Sequence, residues 1–138
     1  MALDPISATA SIITLLGAAG GTCKFLYNFF LDIVDAPSEI RDYSIKLECL
    51  YRTLSTLVQV YSELPKDLAT NALLCGRIVE FMKEAESTKG KFLRRQCSVC
   101  SIKERLRWFS SDRQLKKFFT SLTQWDIIFT QATLAAQT

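Results

Sequence analysis

The chain contains no histidine. That removes the commonest general base and the commonest metal ligand. It also lacks a G-x-x-x-x-G-K-[ST] phosphate loop, a G-x-G-x-x-G fingerprint and a G-x-S-x-G nucleophile elbow. The acidic pair Glu84/Glu86 falls on a helical stretch and reads as solvated. Neither catalysis nor a bound cofactor or metal is expected. Only five glycines and three prolines occur, so linkers and low-complexity tracts have little room. No repeat of solenoid period and no Asn-x-Ser/Thr acceptor is present. The 138 residues therefore read as one domain, residues 1–138, large enough to bury a core.

Charge is missing from one long stretch. Residues 5–23 hold nothing ionisable except the final thiol. A helix of that length spans about 28 Å, close to the thickness of a hydrocarbon core. The run is diluted by Ser7, Thr9, Ser11, Thr14 and glycines, and its large apolar residues are Ile6, Ile12, Ile13, Leu15 and Leu16. Asp4 precedes it and the first base is Lys24, so it lacks the positive start of an export signal. Residue 2 is Ala and the last residues form no prenylation box, so those lipid anchors are not expected. Two readings stand: a buried core helix, or a segment able to enter a membrane. Gly17 and Gly21, with Gly20 beside them, form a small-residue stripe that would let another helix approach closely.

The cysteines are Cys23, Cys49, Cys75, Cys97 and Cys100, an odd number at wide spacing. This is not a disulfide framework, and a reducing, cytoplasmic compartment is expected. Cys23, Cys49 and Cys75 fall in apolar helical patterns, where a thiol packs as a small hydrophobe. Cys97-x-x-Cys100 lacks a second ligand pair for zinc and a βαβ context for redox work.

The apolar spacing is helical throughout. Ile40, Tyr43, Leu47, Leu50, Leu54, Leu57, Tyr61 and Leu64 step by three and four, as do Leu115, Phe118, Leu122, Trp125, Phe129 and Ala132. Leu68, Leu74, Cys75, Ile78, Phe81, Met82 and Ala85 line a third face. Asp4-Pro5 opens the first helix, Ala36-Pro37-Ser38 restarts the chain, and Ser111 or Asp112 caps the last helix. The fold class is all-α. An up-down four-helix bundle is expected, with helices near 5–34, 38–63, 66–93 and 112–136 and a short extra helix near 102–109.

Basic charge is concentrated. Residues 89–117 carry ten Lys/Arg and two acids, a net +8, whereas the remainder holds seven bases and twelve acids, a net −5. Lys89, Lys91, Arg94, Arg95, Lys103, Arg105 and Arg107 are interleaved with Phe92, Leu93, Leu106, Trp108 and Phe109, a pattern suited to anionic membrane lipid and equally to a solvated, partly paired surface. No nucleic-acid reading motif accompanies them, and nucleic acid is not an expected partner.

Three segments, "LDPISATASIITLLGAAGGTCKFLYNFF", "DAPSEIRDYSIKLECLYRTLSTL" and "ERLRWFSSDRQLKKFFTSLTQWDIIFTQATL", carry a family likeness. They resemble the fungal N-terminal domain of STAND (NLR-like) proteins, within the HeLo-like group. The matching positions are Asp4-Pro5-Ile6-Ser7, Ala36-Pro37-Ser38-Glu39-Ile40, and residues 105–108 followed by the last amphipathic helix. The resemblance implies a helical bundle that signals regulated cell death in nonself recognition and innate immunity. It implies self-association on activation and release of the first helix into the plasma membrane. It also implies a sensor protein as partner, in the same chain or another. The acidic residues common in the family's first helix have no counterpart between Asp4 and Lys24. The rival expectation is a non-enzymatic adaptor or oligomerisation module without membrane activity.

Overall fold

A computed structural model describes residues 5–31, 38–63, 68–96 and 112–137, with side chains from Ser11 in the first segment and between Ala72 and Arg94 in the third. Four helices make up these residues: α1 (Pro5–Leu31), α2 (Ser38–Glu63), α3 (Leu68–Gln96) and α4 (Arg113–Gln137). The all-α four-helix bundle is thus present. The expected short helix near 102–109, the C-x-x-C at Cys97 and Cys100, and the Asp4 cap lie outside the described residues.

Side-chain pairings fix the helix directions. Gly20 faces Tyr51, so α1 and α2 run antiparallel across a short connection. Thr22 meets Glu86 while Phe29 meets Phe92, so α1 and α3 run parallel. Tyr43 meets Phe119 and Thr53 meets Asp126, so α2 and α4 also run parallel. Glu84 meets Trp125 and Lys91 meets Asp112, so α3 and α4 are antiparallel. Directions alternate along the chain, as in an up-down bundle. Around the bundle, however, the order is α1, α2, α4, α3. Consecutive helices α2 and α3 stand at opposite corners.

The core follows heptad-like steps. On α2 the buried positions are Ile40, Tyr43, Leu47, Leu50, Leu54, Leu57 and Tyr61, the seam expected from spacing alone. On α1 they include Ile12, Leu16, Ala19, Cys23, Leu26 and Phe30. The α4 seam differs from expectation at two places. Phe119 is buried beside Phe118, and toward the C-terminus Thr133 and Ala136 are buried while Ala132 is only partly so. A wider buried face follows from α4 lying between α2 and α3. Helix α3 runs on to Gln96, beyond the expected end near 93, passing through Gly90. Glycine there costs about 1 kcal/mol against alanine. Burial of Phe92 and the pairing of Lys91 with Asp112 offset that cost.

One aromatic cluster joins all four helices. Phe119 of α4 lies 5.2 Å from Phe30 of α1, 5.1 Å from Tyr43 of α2 and 6.2 Å from Phe92 of α3, between ring centroids. Most pairs are edge-to-face, the arrangement that ring quadrupoles favour.

The cysteines separate by environment. Cys23 is buried in the core, and burial pushes its thiol up to about 12. Cys75 is partly buried, whereas Cys49, expected on an apolar face, is exposed. It sits on the outer side of α2, opposite the Leu47–Leu50 seam. Site-resolved alkylation at pH 8 should modify Cys49 readily in the folded protein, while Cys23 stays intact. Its raised pKa alone leaves about a thousandfold less thiolate than an ordinary thiol. Equal modification of both cysteines would contradict this packing.

Candidate functional site

The residues expected to enter a membrane are committed to the bundle. Ile12 and Leu16 are fully buried, and Ile13 and Leu15 pack half-buried against the core. The side chain of Ile6 lies outside the described residues. Among the described residues no helix is long and apolar enough to cross a membrane. The core side of α1 is set by the Ile12–Leu16–Ala19–Cys23 steps. The opposite side, at Ser11, Thr14, Gly17, Ala18 and Gly21, faces out.

That placement corrects the expected role of the glycines. A Cβ at Gly17 or Gly21 would meet nothing within 4 Å, so neither serves close helix packing inside the bundle. They lie on the side of α1 turned away from the core. Gly20 alone faces a neighbour, the Tyr51 ring at 3.7 Å, an ordinary contact distance.

The expected lipid-contact residues also divide. Lys91 is engaged, not free. Its ammonium lies 3.2 Å from both Asp112 carboxylate oxygens and donates to Gln114 Oε1 at 2.6 Å. Both members of the ion pair are only 20% exposed. Lys91 therefore ties α3 to the start of α4. Lys89 is half-buried, with its ammonium 5.3 Å from the Phe25 ring centroid, a cation–π contact between α3 and α1. Arg94 is exposed. The side chains of Arg95, Lys103, Arg105 and Arg107 lie outside the described residues.

Asp112 is the N-cap of α4. Its Oδ1 accepts from the Gln114 and Leu115 backbone N–H groups at 3.0 and 3.1 Å. Burial pushes its carboxyl up. The Leu115 N–H, the Lys91 ammonium and the Gln114 N–H together outweigh burial and hold it below the usual value.

Several polar groups that sequence patterns treat as solvated turn out to clamp helices. The Thr22 hydroxyl lies 3.1 Å from both the Ala18 carbonyl and Glu86 Oε1. The Trp125 indole donates to Glu84 Oε2 at 3.3 Å. The Thr53 hydroxyl donates to Asp126 Oδ1 at 2.6 Å, joining α2 to α4. One signal was available: Asp126 is the lone charge in residues 118–137 and lies on the flank of the apolar seam.

Together the helices grade charge along the bundle. By the pairings above, residues 53–62 of α2, 72–76 of α3 and 127–137 of α4 lie toward the end where α1 starts and carry no charge, while Glu63 closes α2 there; on α3 the residues level with 13–22 of α1 include Arg77, Glu80, Lys83, Glu84 and Glu86. Of these, Arg77 and Glu80 pair at 3.7 Å. Toward the other end lie Lys89, Lys91, Arg94, Arg113, Lys116 and Lys117, together with Glu39, Asp42 and Asp112. Ile127 and Leu134 are large, exposed apolar residues of the charge-poor end, on one face of α4. Among the described residues, no three Cys, Asp or Glu side chains gather as a metal-ligand set. Comparison with protein-family models, with curated proteins and with solved structures finds no match.

Proposed function

We propose that the chain is a HeLo-like effector domain that acts at membranes in regulated cell death. In this reading its basic end docks on anionic lipid at the cytoplasmic face of the plasma membrane. Assembly of several copies then releases α1 into the bilayer. The observation that carries the reading is the concentration of cations toward one end of the bundle. Placing an unpaired charge in hydrocarbon is costly, so a domain that penetrates lipid needs a part free of charge. Toward the start of α1 charge is sparse, with Glu63 and the Arg77–Glu80 pair among the described residues, and cations concentrate toward the opposite end. Over its buried stripe, helix α1 exchanges one apolar surrounding for another at about 25 cal/mol per Å² in each.

Dye leakage from vesicles tests this. The purified chain should release dye from phosphatidylserine-containing vesicles, less so at 1 M than at 0.1 M salt, where screening shortens from about 10 Å to about 3 Å. Pure phosphatidylcholine vesicles should stay sealed. Reversing Arg94, Arg95, Arg105 and Arg107 to Glu should abolish leakage while the helical circular dichroism is retained. A folded chain that neither binds nor leaks such vesicles would overturn the membrane reading.

A second reading has its own observation. The open stripe over Gly17 and Gly21 leaves the backbone of α1 accessible to another helix. A non-enzymatic oligomerisation module would use it by self-association, with no response to lipid.

A further inference from the structure

We infer that the cleft between α3 and α4 is a binding site for a phosphate monoester, independent of the membrane reading. Of the neighbouring helix pairs, α3 and α4 meet most sparsely. Ser87 and Thr88 of α3 and Ser121 of α4, all small, are among the residues that border the groove between them. The cleft has a volume of about 340 Å³, within the range of small-ligand sites.

Its chemistry is lopsided. Lys83 and Lys91 of α3 and Lys117 of α4 line it, against one carboxylate, Glu84, whose Oε2 accepts from Trp125. Lys91 is already held by Asp112 and Gln114. Lys83 and Lys117 are exposed and make no ion pair among the described residues. They border one cleft from opposite helices, with no carboxylate paired to either among the described residues. Lysine ammonium groups serve as point-charge phosphate binders. The Ser87 hydroxyl adds a hydrogen-bonding group, and the buried Phe118 side chain gives the cleft an apolar floor. A dianionic monoester on a short organic stem fits this arrangement. Such a group occurs free in solution or as the headgroup of a phosphatidic-acid lipid.

The experiment uses the full chain and its amide NMR spectrum. Glycerol 3-phosphate is titrated as the free monoester, and bilayers of phosphatidylcholine with phosphatidic acid supply the lipid-borne one. Saturable shifts at Ser87, Gln114 and Leu115 with the soluble probe would support the site and assign a free ligand. Binding confined to phosphatidic-acid bilayers would support it and assign a headgroup. In either arm Lys83→Gln with Lys117→Gln should weaken binding about tenfold or more. Arg41→Gln with Lys46→Gln, on α2, should leave it unchanged. Binding to neither probe, or binding equally strong in the Lys83/Lys117 variant, would overturn the inference. Vesicle leakage can fail without affecting any of these readouts.

Discussion

Replacing Phe119 by alanine should destabilise the fold by about 3–5 kcal/mol, the usual cost of deleting a fully buried phenyl ring. Phe119 is inaccessible to solvent and contacts aromatic rings from all three other helices. Alanine there leaves a cavity that four separate helices would have to close together. Against a typical stability of about 5–15 kcal/mol, the loss is a large fraction of the total. The thermal midpoint should fall by about 10 °C or more. Ile127→Ala, on the outer side of the same helix, should change stability by no more than about 0.5 kcal/mol. A Phe119→Ala variant that melts with the parent would show that the aromatic cluster does not join the helices as described.

Asp112→Ala should have the next largest effect, about 2–3 kcal/mol. It removes the cap from two N–H groups of α4 and leaves the Lys91 ammonium without its carboxylate. Asp112→Asn keeps a capping oxygen and should recover part of the loss. The pH dependence follows from the depressed pKa. A carboxyl whose folded pKa lies below its unfolded value contributes fully above the unfolded pKa and loses that contribution as pH falls through the folded one. The ordinary value is 3.8 and the shift is downward. The contribution should therefore be intact at pH 5 and above, then fade below about pH 4. In denaturant melts between pH 2 and pH 6, parent and Asp112→Ala stabilities should converge toward the acid end. A constant difference over that range would exclude the ion pair and the cap as its source.

Much of the fold can be read from spacing, because a helix that buries one stripe must repeat its apolar residues every three or four positions. On α2 the expected seam and the buried one agree from Ile40 to Tyr61. Spacing is less informative where a helix has two neighbours at wide angles. Phe118 and Phe119 are both buried because α4 presents a broad face, and a single stripe admits only one of them. The candidate site was less legible. Lys91 sits within a basic run and looks solvated, yet its partner is Asp112, brought near only when α3 and α4 lie antiparallel. Gly17 and Gly21 have the spacing of a close helix contact, but Ile12, Leu16 and Cys23 decide which side of α1 faces inward. Lys83 and Lys117 are far apart in sequence, and only the tertiary fold places them on one cleft.

The order α1, α2, α4, α3 also determines what remains if one helix leaves. Helix α1 borders α2 and α3, and it lies diagonally from α4. Its departure would undo two of the four seams and leave the other two, α2 with α4 and α4 with α3. The three remaining helices would form a half-pipe with α4 as its spine. Its hollow would expose Phe92 and Phe119, whose rings meet Phe29 and Phe30 of α1. Had the helices been arranged in chain order, α4 would have bordered α1 and lost a seam. Here α2 and α3 each lose one seam, while the last helix keeps both partners.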